Sequence, residues 1–196
     1  MPKLCVFPSW DTNPYLNILF LEPRARGWQI ENGGVLFTDL MKRLPKLNRG
    51  DVLHIHWTSP FERDVKSPTE YADRVEKFTK AGMEAKARGV RILWTVHNAL
   101  AHDTEYADQE IELAKRLADL SDFIIVLNSQ TPRVVRRFYS IPQYKIFSLP
   151  HASYLGIYPP RASREEIQET LGIRAGYRTL GFVGAIRAYK GVGDFL

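Results

Sequence analysis

Cysteine is nearly absent from this sequence: Cys5 is the only one, so no disulfide can form within the chain. It lies in the apolar run "KLCVF", where a free thiol packs as a small inert hydrophobe. No apolar run approaches the length of a membrane span, and the opening "MPKLCVF" lacks the long apolar stretch of a secretion signal. These absences point to a cytoplasmic location. Three chemistries are also missing their signatures. The loop after the first apolar run, "PSWDTNPY", holds no glycine, so it is no dinucleotide fingerprint. No G-x-x-x-x-G-K-[ST] phosphate loop and no G-x-S-x-G nucleophile elbow occur. Acidic residues are lacking from 123 to 164, an interval that carries Arg133, Arg136, Arg137, Lys145, Arg161 and Arg164. That imbalance fits a solvated basic face, or else an anionic substrate, an anionic membrane surface or nucleic acid. Nucleic acid is the weakest of these, because no recognition helix and no aromatic-plus-basic stacking platform accompany the charges.

The 196 residues, 44% of them hydrophobic and 25% charged, suffice for one full domain and the start of another. Strand and helix patterns alternate along them. "KLCVF" (3–7), "WQIE" (28–31), "DVLHIHW" (51–57), "RILWTV" (91–96), "FIIVL" (123–127) and "YKIFSL" (144–149) read as strands. Helical periods fall between them. The stretch from Pro14 to Gly27 reads as a helix, apolar residues recur at 36, 37, 40, 41 and 44, and Tyr71, Val75, Phe78 and Gly82 share one face of a long helix that Gly89 stops. Ala107, Ile111, Ala114 and Ala118 align on the next helix. Thr131 and Pro132 then mark another helix start, as N-cap and first helical residue. Continuous apolar strands such as "FIIVL" belong to sheets covered on both faces. The expected fold class is therefore α/β, with a doubly wound, mostly parallel, Rossmann-like sheet. Three segments are expected: a first domain over 1–160, a connecting helix and linker over 161–177, and from 178 to 196 a strand, "YRTLGFVG", and a first helical turn of a second domain that the sequence only begins.

In an open parallel sheet, ligands bind beyond the carboxyl ends of the strands. His56 ends "DVLHIHW", His97 ends "RILWTV" and His151 follows "FSLP", so three of the five histidines fall on that rim. In "ILWTVHNALAHD" (92–103) an apolar strand runs straight into His97 and Asn98, with His102 and Asp103 close behind. His54 and His56 share a strand face and suggest a metal site, whose third ligand would have to come from His97; His54 reads better as a histidine of the core or one supporting the site from behind.

At the level of motifs, "TVHN", "DVLHIHW", "LPHASY" and above all "GFVGAIRAYKGV" (181–192) resemble group-1 (family 4) glycosyltransferases. The resemblance implies the N-terminal, acceptor-side half of a GT-B fold, with the donor-side half entered near Arg178. It implies an enzyme that transfers a sugar from a nucleotide-sugar donor to a glycan or lipid-linked acceptor, usually with retention, with no metal or other cofactor. His97 matches the residue beside the transferred sugar. Arg187 and Lys190 match the basic pair that grips the donor diphosphate. Asn13 would approach donor phosphate, and Tyr15, His56, Trp57, Asn98 and His151 would face the acceptor. The first loop lacks the Gly-Gly pair by which many relatives bring backbone amides to the diphosphate. The acidic pair such enzymes carry deep in the donor domain lies beyond Leu196, so this chain is expected to fold but not to turn over. The basic stretch from Arg133 to Lys145, with Phe138 and Tyr139 beside it, would suit a peripheral contact with an anionic membrane. The competing reading is a non-catalytic module that binds a glycan or an anion.

Overall fold

Six short apolar runs become six parallel strands in the computed structural model, which describes residues 1–196 except 11, 102, 103, 160, 161, 175, 177, 185, 188, 189 and 196 and the side chains of 194 and 195. His102, Asp103 and Arg161 thus lie outside the described residues. The strands are β1 (Lys3–Phe7), β2 (Gln29–Asn32), β3 (Val52–Ile55), β4 (Arg91–Val96), β5 (Phe123–Val126) and β6 (Ile146–Ser148). They form one sheet in the order β2-β1-β3-β4-β5-β6, every pair parallel. The helices between them are α1 (Pro14–Leu19), α2 (Leu21–Ala25), α3 (Phe37–Arg43), α4 (Ser59–Glu62), α5 (Pro68–Ala87), α6 (Ala107–Leu120) and α7 (Thr131–Val135); α8 (Arg164–Leu171) and α9 (Val192–Phe195) follow. This is the α/β, doubly wound arrangement expected of a Rossmann-like chain. The chain divides into two units, Met1–Ser153 and Tyr154–Leu196.

Alternation along β3 decides what each face of the sheet buries. Leu53 and Ile55 join Phe7, Ile92 and Trp94 in the main core beneath α5 and α6. His54 and His56 point to the opposite face, where Val6 and the α1 side chains Tyr15 and Leu16, with Phe20, are buried. Ser67 caps α5 by accepting from the Glu70 N–H at 3.1 Å, and Pro68 opens the helix. Tyr71, Val75, Phe78 and Gly82 are buried on one face of α5, as the period predicts. Carboxylates stitch the opposite, N-terminal rim of the sheet. Asp51 accepts from the backbone N–H groups of Lys3 and Asn48, each at 2.9 Å. Asp122 accepts from the Ile92 N–H at 2.8 Å and pairs with Lys86 and Arg91. That rim serves stability and leaves the carboxyl rim for ligands.

Four elements depart from expectation. The helix from Pro14 is broken at Phe20, because Pro23 has no N–H to continue it and its ring would press on the carbonyl four residues back. On α6 the buried face is Glu110, Leu113, Ala114, Leu117 and Ala118; Ala107 is exposed, and the large Leu113 and Leu117 side chains set the rotation. Thr131 is the first residue of α7 rather than its cap; Gln130 stands at the cap position, and the Asn128 side chain accepts from its N–H at 2.9 Å. Residues 178–183 form no strand: a strand exists only by pairing, and no described strand pairs with them.

Candidate functional site

The sheet order reverses between β1 and β3, and there the loops leaving adjacent strands diverge and open a crevice. Asn13 and Tyr15 follow β1, His56 and Trp57 follow β3, His97 and Asn98 follow β4, and His151 follows β6. The structure brings most of these side chains together. The Tyr15 ring lies 5.2 Å from His97, 4.7 Å from His151 and 5.9 Å from His56, centroid to centroid. Trp57 stacks on His97 at 4.4 Å with 16° between planes. Trp10, which sequence reasoning passed over, lies 4.7 Å from Trp57. Asn98 is exposed at the mouth of a 160 Å³ cavity whose wall includes His56, Trp57, Trp94, Thr95 and His97.

A file of imidazoles runs from the core to this cavity. His54 Nε2 bonds the Thr95 hydroxyl at 2.8 Å, the His54 and His56 rings lie 3.9 Å apart, and His56 Nδ1 shares a hydrogen bond with His97 Nε2 at 3.2 Å. Burial dominates their titration. It pushes His54 down to about 3, helped by the neighbouring His97. It lowers His56 well below 6.5, with His54 and His97 adding to the effect. His97 is lowered to about 4 by burial and then by His151. All three are neutral at pH 7, so the His56–His97 bond joins one N–H donor to one bare nitrogen. Among the described residues, no group of three or more His, Cys, Asp or Glu is arranged to hold a metal ion. His54 is fully enclosed and hydrogen-bonded, a core histidine as its strand position suggests.

Beneath the cavity lies a residue that sequence reasoning missed. Glu110 is 2% exposed, and its Oε1 accepts from the Thr58 hydroxyl and from the Ala101 N–H, both at 2.8 Å. Glu62 does the same further along, accepting from the Thr104 hydroxyl at 2.6 Å and the Glu105 N–H at 2.7 Å. These two carboxylates fasten the loop after β4, which carries His97 and Asn98, to the loop after β3, which carries Trp57. The one available signal is that Glu110 falls on the same helical face as Leu113, Ala114 and Leu117, an acidic residue inside an apolar stripe.

Other expected residues are used differently. Asn13 caps α1: its Oδ1 accepts from the Tyr15 N–H at 2.9 Å and so orients Tyr15. His151 is exposed and donates from Nδ1 to the Ala152 carbonyl at 2.9 Å. Lys145 is no part of a free basic face, because its ammonium bonds the Ala118 and Asp119 carbonyls at the C-terminal end of α6. Nor is Tyr139 a surface partner of the arginines; it is buried 5.8 Å from Trp94. Arg187 and Lys190 belong to the second unit, where both are exposed, the Lys190 N–H donating to the Arg187 carbonyl at 3.0 Å. Cys5 is enclosed, and burial pushes its thiol up to about 12, which makes it inert.

A larger groove, 630 Å³, runs along the outer surfaces of α5 and α6, far from the strand ends in sequence and lined by Val75, Thr79 and Met83 among charged residues. Its charged side chains lie on the helix surface, where Glu112 pairs with Lys115 and Arg116. The smaller cavity brings His56 and His97, both lowered by burial, together with Thr58, Ser59 and Asn98, which makes the carboxyl rim the candidate site. No protein-family model matches the sequence, and no curated protein matches it.

Proposed function

We propose that the chain carries the acceptor-side half of a glycosyltransferase, which moves a sugar from a nucleotide-sugar donor to the hydroxyl of a glycan or lipid-linked acceptor. One observation carries the reading: His97, a neutral imidazole fixed by Trp57 on its face and by His56 at its edge, stands over a cavity at the strand ends next to the switch point. The resemblance of "TVHN" and "GFVGAIRAYKGV" to group-1 glycosyltransferases supports it. In the transfer, the bond from the anomeric carbon to the diphosphate oxygen breaks as the bond to the acceptor oxygen forms, and the acceptor's hydroxyl proton passes to the departing diphosphate. Positive charge gathers on the sugar and negative charge on the departing diphosphate. An imidazole held neutral hydrogen-bonds a sugar hydroxyl without placing a second positive charge beside the first. On the resemblance, Arg187 and Lys190 match the basic pair whose charge would stabilise the diphosphate.

Contact with an anionic membrane remains part of the proposal on narrower grounds. Arg133, Arg136 and Arg137 are exposed beside half-exposed Val134 and Phe138. Among the described residues, no helix is long and apolar enough to cross a membrane. The deciding experiment is a donor screen on the full-length protein, read as release of nucleoside diphosphate. Release from one donor class only in the presence of acceptor is expected. No release from any donor, together with retained glycan binding, would instead leave a non-catalytic binding module.

A further inference from the structure

The cavity between the ends of β3 and β4 specifies its occupant more narrowly than the transfer reaction does. We infer that it takes a single uncharged sugar ring, the acceptor unit of the proposed transfer, and this rests on that reading of the activity. Size comes first. At 160 Å³ the cavity is well below the roughly 300–1,000 Å³ of sites for drug-sized ligands, so it admits one ring rather than a chain of them.

Charge comes second. Among the described residues, the wall contains no Asp, Glu, Lys or Arg. The nearest fixed charge bonded to that wall is the Glu110 carboxylate, which holds the wall residues Thr58 and Ala101 from behind. A uronate or phosphate entering the cavity would leave water, meet no cation and face that carboxylate. An ammonium would leave water for a wall without an anionic side chain, since the Glu110 carboxylate lies behind that wall, its Oε1 held by Thr58 and Ala101 and its Oε2 buried.

Chemistry comes third. The wall sets the indoles of Trp57 and Trp94 beside the polar groups of Thr58, Ser59, Asn98 and His97. A neutral sugar ring has the matching combination, apolar C–H faces with hydroxyls around its edge. Exposed Asn98 would offer a ring hydroxyl both the donor and the acceptor of its amide, beside the His97 imidazole.

The test uses the chain as it stands, since the cavity lies wholly within Met1–Ser153. Methyl hexosides of the gluco, manno and galacto series are titrated beside the amino sugar and the uronic acid of each. Binding is read by intrinsic fluorescence, because Trp10, Trp57 and Trp94, three of the four tryptophans, cluster here, and by saturation-transfer NMR from protein to ligand. At least one neutral hexoside is expected to bind tenfold or more tighter than its charged counterparts. Asn98→Ala, a change at an exposed loop position, is expected to weaken that binding about fivefold to tenfold. Equal or tighter binding of an amino sugar or uronic acid overturns the inference, as does the absence of binding by every neutral hexoside. The two readings fail separately. Neutral-sugar binding without transfer by the full-length protein would remove the activity and keep the site, whereas transfer onto charged acceptors alone would keep the activity and remove the site.

Discussion

Neutrality is the property that the imidazole file confers on His97. Held near 4 by burial and by His151, it stays uncharged across the physiological range. Under the proposed transfer activity, His97→Ala is expected to lower kcat on the order of a hundredfold, the usual cost of losing one group placed at developing charge. The melting temperature should move little, because His97 is only half-buried and ends its strand. An unchanged rate, or collapse of the fold, would mark His97 as a structural residue. His54 carries a different consequence. Its folded-state value near 3 lies below its ordinary 6.5, so the unfolded chain takes up the proton first. The stability it contributes is full above pH 6.5 and is lost as pH falls from 6.5 toward 3, at about 1.4 kcal/mol per unit. Urea unfolding at pH 7.5, 6.0 and 5.0 should show this fall, and His54→Gln, which keeps a polar partner for Thr95 but cannot titrate there, should make it shallower by one proton's share, His56 and His97 supplying the rest. Equal slopes for the two proteins would contradict a buried neutral imidazole.

Elements were legible in the sequence to very different degrees. β3, β4 and β5 announce themselves because a strand covered on both faces is mostly apolar, and the long period of α5 survives because Tyr71, Val75, Phe78 and Gly82 recur every third or fourth residue among charged ones. The rotation of α6 was misread because alanines at 107, 114 and 118 fit a helical stripe as well as Leu113 and Leu117 do, and only packing chooses between them. Strand order left no local trace at all, since pairing partners are chosen across the sheet; the switch point, and with it the contact of Trp10 with Trp57, follows only from that order. Gly33 shows how closely the edge strands meet there. Its N–H donates to the Val6 carbonyl at 2.8 Å, and a Cβ at this position would stand 2.4 Å from the same oxygen. Gly33→Ala must therefore displace backbone and is expected to cost about 1–3 kcal/mol or more, measured by denaturant midpoint; an unchanged midpoint would mean that β2 shifts freely. The turn around α7 is the other element with a definite expectation. With Lys145 and Tyr139 engaged inside the fold, Arg133, Arg136 and Arg137 are the cations left for an anionic surface, each contributing about 1 kcal/mol. Sedimentation with anionic vesicles should be weak, vanish at raised salt and disappear on changing the three arginines to glutamine. Equal, negligible sedimentation with neutral and anionic vesicles would assign the turn to plain solvent contact.

Across the whole molecule, burial is concentrated in the first unit. Among the described residues, no hydrophobic residue beyond Tyr139 is buried, and the first unit contains the six-stranded sheet, the aromatic and imidazole cluster and both carboxylate ties. In the second unit, α8 is well specified locally. Ser163 and Glu166 cap each other's backbone N–H groups, and Gly172 closes the helix in the left-handed conformation at φ 65°. Yet its apolar Ile167 and Leu171 are 44% and 66% exposed. Capping sets where a helix begins and ends but supplies little stability; an eight-residue helix without a buried face is marginal in water. Cooperative unfolding should therefore be a property of Met1–Ser153. A chain ending at Ser153 is expected to fold, to keep the near-ultraviolet signal of the Trp10–Trp57 pair, and to melt within about 2–4 °C of the 196-residue chain, the shift that roughly 1 kcal/mol produces at this size. In hydrogen exchange on the 196-residue chain, the amides of β3 and β4 should outlast those of α8 by orders of magnitude. An unfolded truncation, or a melting temperature lowered by far more than that, would show that residues after Ser153 complete the first unit's core.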